Sequence, residues 1–313
     1  MVNHSYPTNS NGEDPAFRQP PRFFLVGGRR AAWLVLALSL VITLWATQTA
    51  RNGLDRVLQE RFNFQVTEIR SAITERMQTY QQVLRGAVGL FNASEQVSRE
   101  EWRVYVESLD LQKHYPGILG IGYARWLEPA EVEAHVQTVR DQGFPDYRVW
   151  PEGKRQAYSS IVYLEPFSWR NRRAFGYDMY SEPVRRNAME RARDSGRVAV
   201  SGRITLVQET ERDVQAGFLV YLPLYESRLP RETPAQRRDA LRGWVYSPFR
   251  MDDLMTGILG RENQQVHLKI YDGEQVVPEN AMYDSNPKPD TAPPSAFTLG
   301  TVPQWIWTAI AGH

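Results

Sequence analysis

Cysteine is missing from all 313 residues, which excludes disulfides, thiol nucleophiles and thiolate metal sites together. Lysine is nearly missing: Lys113, Lys154, Lys269 and Lys288 are the whole set, and arginine carries the rest of the basic charge. Histidine is also sparse, and His4, His114, His135, His267 and His313 stand at no metal-ligand spacing. Glu131 and Glu133 flank His135 on what reads as one charged helix face, a solvated pattern rather than a metal site. There is no Gly-x-Ser-x-Gly elbow, no phosphate-cradling glycine loop and no paired-carboxylate signature, so nothing supports an enzyme. A net charge of +1 gives no electrostatic ground for a nucleic-acid partner, and no cofactor is implied. Proline is absent between Pro21 and Pro116, which leaves room for one very long helix.

That long interval holds two patterns in succession. Residues 1–30 begin polar and rich in Asn, Ser and Pro, and predict a disordered cytoplasmic tail. Residues 31–50 then carry no charge, and twenty helical residues rise roughly 30 Å, the thickness of a bilayer's hydrocarbon core. Trp33 and Trp45 lie near its two ends, where indoles favour the membrane interface. A cleaved signal peptide is the alternative, but no small-x-small cleavage site follows, and an anchor in the inner (plasma) membrane is expected. Arginines flank both ends almost equally. The tail is placed inside because long domains translocate regardless of charge, which makes the main domain periplasmic or extracellular.

Residues 51–95 change to a soluble amphipathic helix. Leu54, Leu58, Phe62, Val66, Ile69, Ile73, Met77, Tyr80, Leu84, Ala87 and Phe91 recur at steps of three and four. About forty helical residues extend roughly 60 Å, more than one small domain covers. The stripe predicts a homodimer through this stalk, the alternative being a helix packed on its own domain.

Beyond the stalk, Ser98 and Glu101 form a capping box for a helix bearing Trp102, Tyr105, Val106 and Leu109. Strands are predicted over 118–126, 147–150, 160–164, 198–206, 216–224, 243–248 and 265–271, with helices from Pro129 to Gly143, from Pro183 to Gly196 and over 251–259. The expected class is α+β, helices against antiparallel sheets. The arginine- and proline-bearing segment 226–242 reads as a boundary before a second subdomain, 243–313. Residues 286–294 read as a loop. The apolar element 304–311 ends abruptly, which suggests the front part of a longer receptor.

The stretch from Phe175 to Gly196 gathers the functional signals. Asp178 follows a strand end and precedes the cap region Ser181-Glu182-Pro183, where a carboxylate either accepts hydrogen bonds from a ligand or from backbone amides of its own turn. Around it, residues 170–203 hold nine arginines against four acids, a local charge of +5. That window suits either an anionic ligand or a solvated helix face.

The run LEPFSWRNRRAFGYDMYSEPVRRNAMERARDSGRVAVSGRITLVQET, then QAGFLVYLPLYE, together with PGILGIGYARWLEP from Pro116 to Pro129, closely resembles the CHASE domain. This is an extracellular sensory module of cyclase- and histidine-kinase-linked receptors, plant cytokinin receptors among them. The resemblance covers about residues 83–226. It implies a long dimerising helix followed by two PAS-like subdomains, with a small-molecule ligand in the membrane-distal one. Asp178 matches the aspartate that reads the adenine ring of cytokinin, a backbone contact falls near Val200, and Tyr163, Thr205 and Tyr221 would wall the pocket. Most pocket side chains depart from the plant members, so the resemblance implies a small ligand, such as a heterocycle, without cytokinin specificity. The output domain would be a histidine kinase, a diguanylate cyclase or a similar module. A periplasmic protein-binding module and a surface enzyme remain as alternatives.

Overall fold

The computed structural model describes residues 28–211, 213–260 and 267–285. The chain divides into two units, Met1–Phe62 and Asn63–His313. A single helix, α1 (Gly28–Ala93), contributes to both. Within the first unit, residues 31–50 are exposed throughout. Among the described residues one helix is long and apolar enough to cross a bilayer, and it is α1. The predicted span and stalk are thus one uninterrupted element, as expected where no proline or glycine pair breaks the hydrogen-bond ladder.

The second unit is built on an antiparallel sheet. Its strands are β1 (Ile121–Leu127), β2 (Tyr158–Glu165), β3 (Ala199–Val200), β4 (Gly217–Tyr225) and β5 (Leu241–Arg250), in the order β2-β1-β5-β4-β3. The helices are α2 (Arg99–Ser108), α3 (Leu111–His114), α4 (Val132–Asp141), α5 (Trp169–Arg172), α6 (Pro183–Ser195), α7 (Pro234–Asp239) and α8 (Met251–Leu259). A separate two-stranded ribbon pairs β6 (Lys269–Tyr271) with β7 (Ala281–Asp284). Short 3₁₀ turns occupy Pro129–Glu131, Met179–Ser181 and Pro278–Asn280. The class is α+β.

Strand alternation divides the core in two. Phe218, Val220, Leu222 and Leu224 of β4 face one side with Val245 and Phe249 of β5. There they meet Met77, Tyr80, Leu84 and Phe91 of α1, Trp102 and Val106 of α2, Leu254 and Met255 of α8, and Leu268, Ile270 and Met282 at the ribbon. Leu219, Tyr221 and Tyr225 face the opposite side with Trp244 and Tyr246, under Ala188, Met189 and Ala192 of α6. Because both faces are covered, β4 and β5 read as nearly continuous apolar runs. Pro223 is tolerated in β4 because β3 pairs only with Val220 and Tyr221, leaving that side of Pro223 without a strand partner.

Three expectations need correction. Segment 226–242 is not a boundary: it contains α7 and opens β5, which lies between β1 and β4 in the middle of the main sheet. Residues 243–250 therefore belong to the same sheet as residues 121–127. Tyr147 to Trp150 forms no strand beyond a single bridge from Trp150 to Tyr177, and the long strand expected over 198–206 shrinks to Ala199–Val200 plus a bridge from Ile204 to Gly217. Finally, the stalk stripe is not uniform in burial. From Ile73 to Phe91 it is buried in its own domain's core, whereas Val57 and Leu58 are exposed. The loop 286–294 and the element 304–311 lie outside the described residues.

Candidate functional site

On the α6 side of the sheet the side chains leave a narrow recess with enclosed room for little more than one water molecule. Ile161, Leu206, Leu219, Met179 and Tyr177 give it apolar walls, and Arg185, Gln208 and Tyr246 supply polar groups. Strand alternation puts Leu219 and Tyr246 on this face, while α6 presents Arg185 from its first turn. That start is well defined: Pro183 is its first residue, and the Glu182 carboxylate accepts from the N–H groups of Val184 and Arg185 at 2.9 Å each.

The polar groups of the recess differ in what they have left to give. Arg185 is buried and spent: it donates to Glu182 at 3.2 Å and to the Thr205 carbonyl at 2.9 Å, with its guanidinium over the Tyr177 ring. Tyr246 is fully buried, its hydroxyl has no hydrogen-bond partner, and burial holds its pKa well above the ordinary phenol value. A buried hydroxyl left without a partner costs on the order of 1–3 kcal/mol. Tyr246 is one of the residues that line the recess.

Asp178 sits on the same segment but points the other way, since Tyr177 and Met179 line the recess and Asp178 alternates with them. Its Oδ1 accepts from the Ser159 N–H at 2.8 Å and the Tyr180 N–H at 3.1 Å, fastening the 3₁₀ turn to β2. Its Oδ2 is buried, lies 3.4 Å from Arg155 Nη1 and has no hydrogen bond. Burial is the largest influence on its pKa and raises it, against the lowering effects of the Ser159 amide and Arg155. The local turn role is therefore real, and one oxygen remains over. Gly176 lets the segment approach this closely: it has φ +77°, and a Cβ there would meet the Arg148 carbonyl oxygen at 2.1 Å.

The structure gathers some of the sequence-predicted residues and separates others. Tyr221 is fully buried on the recess face and its hydroxyl reaches Met179 Sδ at 3.5 Å. Thr205 has an exposed side chain and contributes only its carbonyl, to Arg185. The Val200 carbonyl already accepts from Arg191 Nη2 at 2.6 Å, and its side chain joins the opposite core. Tyr163 also packs on the opposite core, donating to the Val97 carbonyl at 2.9 Å. Tyr246, Arg185 and Gln208 escaped sequence reasoning. Arg185 stood in the basic window, but nothing in a strand's sequence tells which of its aromatics faces a recess.

The basic window proves to be a set of internal ties. Arg173 donates to the Val207 carbonyl, Arg186 to Tyr180, Arg191 to Val200 and Arg203 to Ala281, while Arg193 pairs with Asp194. Four of these guanidiniums satisfy main-chain carbonyls around α6, while Arg172 and Arg197 of the same window are exposed. Among the described residues no group of three or more His, Asp or Glu could hold a metal ion.

The main unit is thus a two-faced antiparallel sheet with a recess under one helix, on a chain with one candidate membrane span among the described residues. Residues 95–283 match the family model of the CHASE domain, and the chain belongs to that family. No curated protein matches it. Among solved structures, the ligand-binding domain of the Pseudomonas aeruginosa PAO1 amino acid chemoreceptor PctC, in complex with GABA, is similar at 10% identity and a TM-score of 0.35. That match covers 64% of this chain and 66% of the chemoreceptor domain.

Proposed function

We propose that the chain is the sensing part of a membrane receptor, and that a small, largely apolar ligand occupies the recess between the sheet and α6. The observation that carries this reading is the Tyr246 hydroxyl, buried and without a partner at the wall of that recess. The enclosed space holds little more than one water molecule, so a ligand must be small and must widen the recess as it enters. Tyr246 would orient it by one hydrogen bond, with Leu219 and Met179 as wall and Tyr221 behind Met179.

In this reading the domain is PAS-like and membrane-distal, the chain is anchored in the inner membrane with its short tail inside, and α1 pairs with a second copy through residues 57–66. An output module of the histidine-kinase or diguanylate-cyclase kind would follow. Binding signals only if the ligand prefers one packing of the dimer over another.

The Oδ2 of Asp178, ion-paired with Arg155 at 3.4 Å but without a hydrogen bond, supports a second placement, in which a heterocycle N–H is accepted beside Arg155. One experiment tests both. The full chain in nanodiscs is screened by thermal shift against purines and other small heterocycles. A ligand at one hundred times its Kd stabilises by about 2.7 kcal/mol. Loss of that stabilisation in Tyr246→Phe assigns the recess, and loss only in Asp178→Asn assigns the turn. A ligand that stabilises all three proteins equally sinks both placements.

A further inference from the structure

A second unsatisfied group lies away from the recess, at the edge formed by β2. Arg99, the first residue of α2, carries its guanidinium 4.4 Å from the Phe144 ring centroid, 5.1 Å from Tyr163 and 5.2 Å from Phe175. Nε, Nη1 and Nη2 are all buried, and none has a hydrogen-bond partner. The rings stabilise the cation through their faces but accept nothing from its N–H groups, which form a planar fork of five donors. Glu165 is the acid beside it, yet Arg99 donates no hydrogen bond to it, and Glu165 Oε2 accepts the Phe167 N–H at 2.7 Å.

A buried guanidinium with its whole hydrogen-bonding edge unused is an acceptor site without its acceptor. The group that matches the fork is a carboxylate, which takes two parallel N–H bonds at once. The surroundings describe the rest of such a molecule. Phe144, Phe167 and Phe175 pack edge to face with centroids 5.0–5.9 Å apart and are each only partly buried, so an apolar wall borders the charge and reaches solvent. We infer that Arg99 and this aromatic wall form a binding site for a small organic carboxylate with an aromatic or apolar body. Tyr163 belongs to this site, on the sheet face opposite the recess. The inference does not rest on the recess being a ligand site, because no residue is shared between the two.

The probe is benzoate, with benzamide as the neutral molecule of the same shape, added to the full chain in nanodiscs. Arg99→Met keeps an unbranched apolar side chain among the rings and removes only the fork, and Arg99→Lys keeps the charge without the fork. The expected result is a saturable rise in Tm with benzoate, none with benzamide, a reduced rise in Arg99→Lys and loss of the rise in Arg99→Met. A benzoate response of equal size in Arg99→Met overturns the inference, and so does the absence of any response in the wild-type chain. Tyr246→Phe should leave the benzoate response intact, which separates this site from the recess.

Discussion

His135 shows how a residue's neighbours set its chemistry. It reads in sequence as part of a charged, solvated helix face, yet it is 5% exposed, with Nε2 3.0 Å from the Tyr147 hydroxyl. That hydroxyl in turn lies 2.6 Å from Ser160 Oγ. Burial first, and Arg125 second, push the His135 pKa down to about 4 from its ordinary 6.5. The folded state therefore binds fewer protons than the unfolded state between those values, and stability falls as pH drops from 6.5 toward 4. The loss expected below pH 4 is on the order of 3 kcal/mol. Urea unfolding across this range should show the slope in wild type and a flatter profile in His135→Gln; identical profiles would remove His135 as its source. Asp178 was legible as a turn carboxylate because Asp before a Ser-Glu-Pro cap has few other uses. Its spare oxygen was not legible, since that depends on Arg155, twenty-three residues upstream. Tyr246 left no trace at all in the sequence, because a tyrosine in an apolar strand looks the same whichever face it takes.

Elements with local signatures were readable, and those fixed by distant partners were not. The Ser98–Glu101 capping box and the Pro183 start both form as the residue types require. The stretch 198–206 has strand-like residues but pairs only briefly, because Arg191 and Arg185 take its carbonyls at Val200 and Thr205. The loop before β4 is held by a different device. Arg250, at the end of β5, binds Glu209 at 2.8 Å, Asp213 at 2.7 Å and Asp253 at 2.8 Å. Arg250 and Glu209 are both buried, so Arg250→Met, which strands the acid, should cost about 3–5 kcal/mol. Asp213 and Asp253 are exposed partners, and Asp213→Asn or Asp253→Asn should cost at most about 1 kcal/mol. Chemical denaturation of the three variants checks the ranking, and equal losses would show that burial does not set it.

For the molecule as a whole, the sequence conveyed the helix with its span and the α+β class but misplaced the division of the sheet. An arginine- and proline-rich segment looks like a linker whether it joins two domains or merely returns the chain to the middle of one sheet. The stripe of α1 likewise looks uniform, although only its earlier part remains uncovered by the domain. That part gives the dimer reading its test. Because the chain has no cysteine, a single introduced thiol is an unambiguous reporter. Leu58→Cys, at an exposed position, should yield a disulfide-linked dimer when membranes are oxidised. Tyr80→Cys, at a position buried within the domain, should not. Monomer alone from Leu58→Cys would end the proposal that this segment pairs. The central place of β5 carries one more consequence, for biosynthesis. β2 can pair with β1, and β3 with β4, soon after each has been made, but the two hairpin-like halves share no strand contact until residues 241–250 emerge. Until then β1 and β4 each present a bare edge, the kind of surface that recruits foreign strands. Completion of the sheet thus waits on the last of its five strands, the one that joins both halves.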